Sequence, residues 1–376
     1  MDSDDEKNPA IVIDNGSSFI KSGFSGEVEP SSCFRTCVGY PKYSHGDIDF
    51  YFGKEAENNK DNLKINYPIK QGIITNYDDM EIIWGHIFTS ELKVDPEEHN
   101  VLLTQQLMCP KEEKEKKAQI MFETFNVKGL CLGYTPDLSL YAAGISTGIS
   151  IDLGGDSTQI SAIKDGCPVP FRFDKIYYGG NEVNDYLFRL LNFNNKMIST
   201  SKHKLCIEDI KEKSCYVALD YDEEFKSVEP FDYQLPDNNN LILEEERIRA
   251  PEIIFKPSLI GKDDEFGLSN ICNNLIEKCI DIKKDLYNRI FLSGGNSMFQ
   301  GLPERLEREI KSLALESLQE EVRVIHNSFD AKSSAFIGGA IFSNTSLLKE
   351  VSITKEMYEE NGSSIIYKIK DPYSFK

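Results

Sequence analysis

One plan occurs twice in this chain, and it limits the fold more than any other feature. Residues Ala10-Ile11-Val12-Ile13-Asp14-Asn15-Gly16-Ser17-Ser18-Phe19-Ile20 run apolar, break at an Asp-x-Gly-Ser turn and resume as apolar sequence. Residues Gly148-Ile149-Ser150-Ile151-Asp152-Leu153-Gly154-Gly155-Asp156-Ser157-Thr158-Gln159-Ile160 repeat it. Each copy reads as a strand, a tight small-residue turn carrying an aspartate, and a return strand. Repetition predicts two related lobes, each presenting a hairpin tip. The length of 376 residues agrees, because single cores stop growing at roughly 250–300 residues.

The intervening sequence alternates helical and strand patterns. Lys111 to Phe125 predicts a helix whose Lys/Glu-rich start faces water while Ile120, Met121 and Phe125 turn inward. From about Asn181, behind Gly179-Gly180, the residues Val183, Tyr186, Leu187, Leu190 and Leu191 recur at helical spacing. Ile290-Phe291-Leu292 predicts a buried strand, Ser293-Gly294-Gly295-Asn296-Ser297 a turn, and Leu302, Leu306, Ile310 and Leu313 one helix face with Pro303 near its start. Ala335-Phe336-Ile337-Gly338-Gly339 reads as a further strand-to-glycine turn. Asp220 to Asn240 is acidic and Pro/Asn-rich, an expected exposed hairpin, and Tyr40 to Asn62 an expected mobile surface loop. The pattern is that of an α/β protein holding a ligand between lobes.

Composition narrows the ligands. With 42 Lys+Arg against 62 Asp+Glu, the net charge is −20 and the pI about 4.8, which disfavours nucleic acid and anionic membrane surfaces as partners. The opening Met1-Asp2-Ser3-Asp4-Asp5-Glu6 has neither a positive n-region nor an apolar h-region, and no run of about 18 apolar residues occurs, so membrane insertion is not expected. Nine cysteines without a Cys-x-x-Cys pair read as reduced thiols of a cytosolic or nuclear protein. The five histidines show no His-Glu-x-x-His spacing, so no structural metal site is expected.

A hairpin tip of Gly and Ser can aim several backbone N–H groups and a hydroxyl at one point, a way to grip phosphate without much positive charge. Gly16 and Ser17 would hold a β-phosphate, and Asp156, Ser157 and Thr158 with their amides would cover a γ-phosphate. Lys21 would supply a cation, and Asp14 and Asp152 would hold Mg²⁺ chiefly through its waters. Read alone, either turn is most often an ordinary bend, and it is the matching pair that favours phosphate.

Beyond this pattern, the chain resembles the actin family nearly end to end. Asp14-Asn15-Gly16-Ser17 with Lys21-Ser22-Gly23-Phe24-Ser25-Gly26 is similar to the family's first phosphate loop. Tyr67-Pro68-Ile69, Gly72-Ile73-Ile74-Thr75-Asn76, Gln119-Ile120-Met121-Phe122-Glu123-Thr124-Phe125-Asn126, Leu138-Ser139-Leu140-Tyr141-Ala142, Lys284-Asp285-Leu286-Tyr287 and Leu292-Ser293-Gly294-Gly295 are further actin-like blocks. The resemblance implies an actin-like ATPase fold of duplicated, ribonuclease-H-like lobes around a nucleotide cleft. Subdomain 1 would be residues 1–35, 67–142 and 333–376, and subdomain 2 residues 36–66. Subdomain 3 would be 143–178 and 262–332, and subdomain 4 residues 179–261. The implied ligands are ATP or ADP with Mg²⁺, Ca²⁺ serving in vitro. By similarity Ser18 and Gly154 join the phosphate loops, Gly179 and Gly180 lie beside the sugar, Lys211 and Glu212 border adenine and ribose, Gly294, Gly295 and Met298 floor the nucleotide, and Lys332 flanks the base. Without the resemblance, Lys211 and Glu212 read as a solvated helix face and Met298 as core.

Three departures bear on catalysis. The family's water-positioning glutamine falls on Thr135, whose shorter hydroxyl cannot orient water as an amide can. Its second loop aspartate falls on Gly155, with Asp156 one place along as a partial substitute, and its histidine falls on Gln159. Binding should survive these changes better than hydrolysis. The subunit-facing loop, about Lys42 to Phe52, is short and carries Asp47 and Asp49, while Gln71 and Cys167 replace residues of family contacts. Unpaired charge at an interface centre is costly, so conventional copolymerisation is not expected. The expectation is a cytoplasmic, cytoskeletal protein, or a nuclear one, that binds Mg-ATP, hydrolyses it slowly and forms or caps filaments. Its partners would be itself, other actin-family subunits or actin-binding proteins. The alternative is an ATP-binding scaffold subunit of a larger complex.

Overall fold

The computed structural model describes residues 8–43, 50–194, 196, 206–327 and 331–368. The chain divides into two compact units, Met1–Ser146 with Ile163–Lys175 and Ser333–Lys376, and Thr147–Ala162 with Ile176–Lys332.

In the first unit six strands lie in the order Ile353–Thr354, Gly129–Tyr134, Asn100–Gln105, Ile11–Asn15, Phe19–Phe24, Ser32–Arg35. Ile11–Asn15 runs antiparallel to Phe19–Phe24, setting Asp14 opposite Lys21, and parallel to Asn100–Gln105. Ile11, Val12 and Ile13 are all fully buried, so the strand reads as an unbroken apolar run rather than an alternation. Ile11, Ile13, Val101, Leu103 and Leu130 pack on Met80, Ile83 and Trp84 of helix Tyr77–His86. Val12 and Leu102 pack on the other face with Leu138, Phe336 and Ala340.

Three expectations are corrected here. Ala335–Gly339 is no strand: it lies within helix Ser334–Ser343, since a five-residue apolar run does not distinguish buried strand from buried helix. Its glycines serve close packing, for a Cβ on Gly338 would stand 1.8 Å from the Leu138 carbonyl oxygen and one on Gly339 2.9 Å from a Val12 methyl. Second, helix Lys111–Gln119 continues into a π-helical turn, Ile120–Thr124, and its polar start is only partly turned to water, with Lys111 and Glu112 exposed. Glu113, Lys114 and Lys117 are buried: Lys117 Nζ meets Glu113 Oε1 at 2.8 Å and Lys114 Nζ meets the Tyr134 hydroxyl at 2.9 Å. Third, much of the expected loop at 40–62 is ordered. Strands Val38–Pro41, Tyr51–Phe52 and Leu63–Asn66 form a small sheet with helix Gly53–Asn58, around Cys37, Ala56 and Leu63. Asp47 and Asp49 lie outside the described residues.

In the second unit, Thr158–Lys164, Gly148–Leu153, Ile290–Ser293 and Val324–His326 lie in that order. Gly148–Leu153 and Ile290–Ser293 run parallel with Asp152 opposite Ser293, so both strands end beside their glycine turns. Helix Gly180–Phe193 buries the five apolar residues predicted for it. Helix Leu302–Leu313 buries Leu302, Leu306 and Ile310 but leaves Leu313 exposed. The acidic insertion contains helix Tyr221–Glu224 and the hairpin strands Phe231–Gln234 and Asn240–Leu243.

Candidate functional site

The first unit's turn is held by buried polar contacts. Asp14 is 6% exposed; its Oδ2 pairs with Lys21 Nζ at 2.9 Å and its Oδ1 accepts the Thr104 hydroxyl at 2.9 Å. The same hydroxyl accepts the Asn15 N–H at 2.8 Å, and Trp84 Nε1 donates to Asn15 Oδ1 at 3.0 Å. Thr36 donates its hydroxyl to the Gly16 carbonyl at 2.7 Å. Across a trans peptide the C=O and the following N–H point to opposite sides, so fixing that carbonyl aims the Ser17 N–H the other way. A Cβ on Gly16 would lie 2.3 Å from the Phe19 carbonyl oxygen, so the turn requires glycine. Thr135 opens helix Thr135–Ala142 and is buried.

The second unit uses the same device more fully. The Gly154 carbonyl accepts the Gly180 N–H at 3.1 Å and Asn296 Nδ2 at 2.6 Å, and the Gly155 carbonyl accepts the Asn181 N–H at 2.8 Å. The N–H groups of Gly155 and Asp156 therefore point away from helix Gly180–Phe193. Gly179 is packed so closely that a Cβ would meet the carbonyl oxygens of Gly154 and Gly155 at 2.4 and 2.7 Å. Its N–H donates to Glu182 Oε2 at 2.7 Å. Burial, foremost, raises the Glu182 carboxyl above its ordinary range despite that bond. Ser157 and Thr158 are buried at the return strand.

Asp152 accepts Gln159 Nε2 at 3.3 Å through Oδ2 and the Ser293 hydroxyl at 3.4 Å through Oδ1. Gly294 adopts φ +85° beside the Leu153 carbonyl, a left-handed conformation that favours glycine, while a Cβ on Gly295 would meet open space. Lys211 is buried rather than solvated and donates to the Gly180 carbonyl at 3.3 Å. Glu212 and Lys332 are half-exposed and paired at 2.9 Å. Met298 is 39% exposed, so it is not core.

The structure thus groups Asp14, Gly16, Ser17, Ser18 and Lys21 about one turn, and Asp152, Gly154–Thr158, Gln159, Gly179, Gly180 and Lys211 about the other. Sequence reasoning missed Thr104, Trp84, Asn181 and Asn296. The available signal was position: Thr104 ends the apolar run Val101-Leu102-Leu103, and ligands in α/β sheets gather at the carboxyl ends of strands. Among the described residues no three or more His, Cys, Asp or Glu side chains stand together as a metal shell. No described helix is long and apolar enough to cross a membrane.

Two units, each with a mixed sheet whose aspartate-bearing strand runs into a glycine turn, fit an actin-like α/β fold. The Actin family model matches residues 5–370. The chain belongs to the actin family.

Proposed function

We propose that this actin-family chain binds Mg-ATP on the two turns, hydrolyses it slowly, and takes part in filament formation or capping. The observation that carries the proposal is the second turn, where the carbonyls of Gly154 and Gly155 are bonded to helix Gly180–Phe193 and Asn296, leaving the amides of Gly155 and Asp156 on the opposite side. Such amides suit an anion in a chain of net charge −20, because they add no mobile cation and are already oriented. Gly16 and Gly294, where a Cβ would collide with backbone, leave bare main chain for close approach. Gly16, Ser17, Ser18 and Lys21 would hold the β-phosphate, and Gly154, Gly155, Asp156, Ser157 and Thr158 the γ-phosphate, through backbone amides and hydroxyls. Gly179, Gly180, Lys211 and Glu212 would border the sugar and base, with Gly294, Gly295, Met298 and Lys332 completing the base site. Asp14 and Asp152 would hold Mg²⁺ through water, the ion neutralising phosphate charge.

Slow turnover follows from the side chains. Thr135 replaces the family's glutamine with a buried hydroxyl, and the Gln159 amide is engaged with Asp152. These two observations also support a second reading, an ATP-binding scaffold subunit of a cytoskeletal or nuclear complex that hydrolyses little. Purified protein should be assayed for bound nucleotide, phosphate release with Mg-ATP, and pelleting with and without conventional actin. Filaments with phosphate release would sink the scaffold reading. Bound, unhydrolysed ATP without filaments would sink the ATPase reading.

A further inference from the structure

An acid sits in the middle of the second turn, and a carboxylate among amides offered to phosphate would repel what they attract. The Asp156 carboxylate is hydrogen-bonded to the side-chain amide of Asn181, the residue whose backbone N–H holds the Gly155 carbonyl at 2.8 Å. With the Gly154 carbonyl on the Gly180 N–H and on Asn296, three negative groups of the turn gather at one place. That place is the first turn of the 14-residue helix Gly180–Phe193, the positive end of its dipole. The N–H groups of Gly155 and Asp156 point to the other side.

We infer that Asn181 is a positioning residue that parks the Asp156 carboxylate on helix Gly180–Phe193, so that the turn offers its amides to a polyphosphate without a like charge among them. The inference rests on the nucleotide-binding reading. It also assigns Asp156 no part in orienting water: the side chain sits with the fixed carbonyls, not with the outward amides. Glu182 follows the same rule in the same helical turn, its carboxylate occupied by the Gly179 N–H at 2.7 Å. Asp156 and Glu182 thus each have a donor on the helix side.

The test is second-site rescue. ATP and ADP affinities are measured by fluorescent-nucleotide displacement on the full chain for wild type, Asn181→Ala, Asp156→Ala and the double variant, with thermal unfolding recorded for each. Freed from its amide, the carboxylate should weaken ATP binding about tenfold in Asn181→Ala, with ADP less affected. The double variant, which lacks the intruding charge, should bind ATP to within about twofold of Asp156→Ala, whatever that single change does on its own. A merely structural Asn181 would leave the double variant about tenfold weaker than Asp156→Ala, which overturns the inference. Asn181→Ser, with Asp156→Ala/Asn181→Ser, supplies the same comparison if the alanine variant does not fold. Wild-type protein that binds neither nucleotide refutes the nucleotide reading itself; wild-type binding without rescue refutes only this role.

Discussion

Replacing Glu113 by Gln should destabilise the first unit far more than a surface change on the same helix. The Lys117 ammonium and Glu113 carboxylate are 2% and 3% exposed and 2.8 Å apart. At that distance, with an effective dielectric of about 20, their gross attraction is about 6 kcal/mol, most of which offsets the desolvation of both ions. Glu113→Gln removes the attraction and leaves the ammonium buried, for a loss of about 3–5 kcal/mol. Few groups can compensate, since Cys109 Sγ is 3.9 Å away and burial pushes its thiol up to about 11, so it supplies no anion at neutral pH. Nearby Lys175 is already held down to about 8 by burial, with Glu113 favouring and Lys117 opposing its charge. The assay is urea unfolding read by the fluorescence of the single tryptophan, Trp84, fully buried in the same unit. In Glu113→Gln, Lys117 loses the carboxylate that keeps it protonated in the fold, so its folded pKa drops below the unfolded value. The penalty is then greatest at low pH and shrinks as pH rises through the folded value. Glu113→Leu/Lys117→Met should recover to within about 1 kcal/mol of wild type. A Glu113→Gln loss below about 1 kcal/mol, or additive single losses in the double variant, would refute the reasoning.

Burial, outweighing Arg305 and Lys256, raises Glu252 from its ordinary range to about 7. A folded pKa above the unfolded one gives stability that is full below about pH 4 and lost as pH rises through about 7, worth on the order of 3 kcal/mol. Glu252→Gln should flatten that slope in urea midpoints followed by circular dichroism across the same window. Gly179→Ala places a methyl 2.4 Å from the Gly154 oxygen and should cost about 2–4 kcal/mol, weakening nucleotide binding with it; unchanged thermal unfolding would count against the packing described. Cys33 and Cys167 are exposed, whereas burial pushes Cys131, Cys215 and Cys272 up to about 12, so mass spectrometry after brief alkylation should find label on the first two and on the other three only in denaturant.

The duplicated hairpin was legible because it lies in local pattern: an apolar run, an aspartate and a glycine turn are recorded residue by residue. Helix Gly180–Phe193 was legible for the same reason, its apolar face recurring at 3–4-residue spacing. What stayed hidden depends on partners distant in sequence. Glu113 and Lys117 look like a solvated pair, yet both are buried, with the Cys109 thiol set against Lys117. The Gly338-Gly339 pair looks like a turn until Leu138 and Val12 are seen pressed against it. Asn181 and Asn296 carry no motif of their own, because their role is defined by carbonyls and a carboxylate on the turn at 154–156.

The central proposal is that this chain binds one Mg-ATP and that Asp14 and Asp152 are both needed for it. Calorimetric titration of nucleotide-stripped protein with Mg-ATP, repeated with Asp14→Ala and Asp152→Ala, tests it most directly. One ATP per chain in the wild type, with at least about tenfold weaker binding in each variant, is the predicted result. No binding by the wild type, or wild-type affinity in both variants, would contradict it.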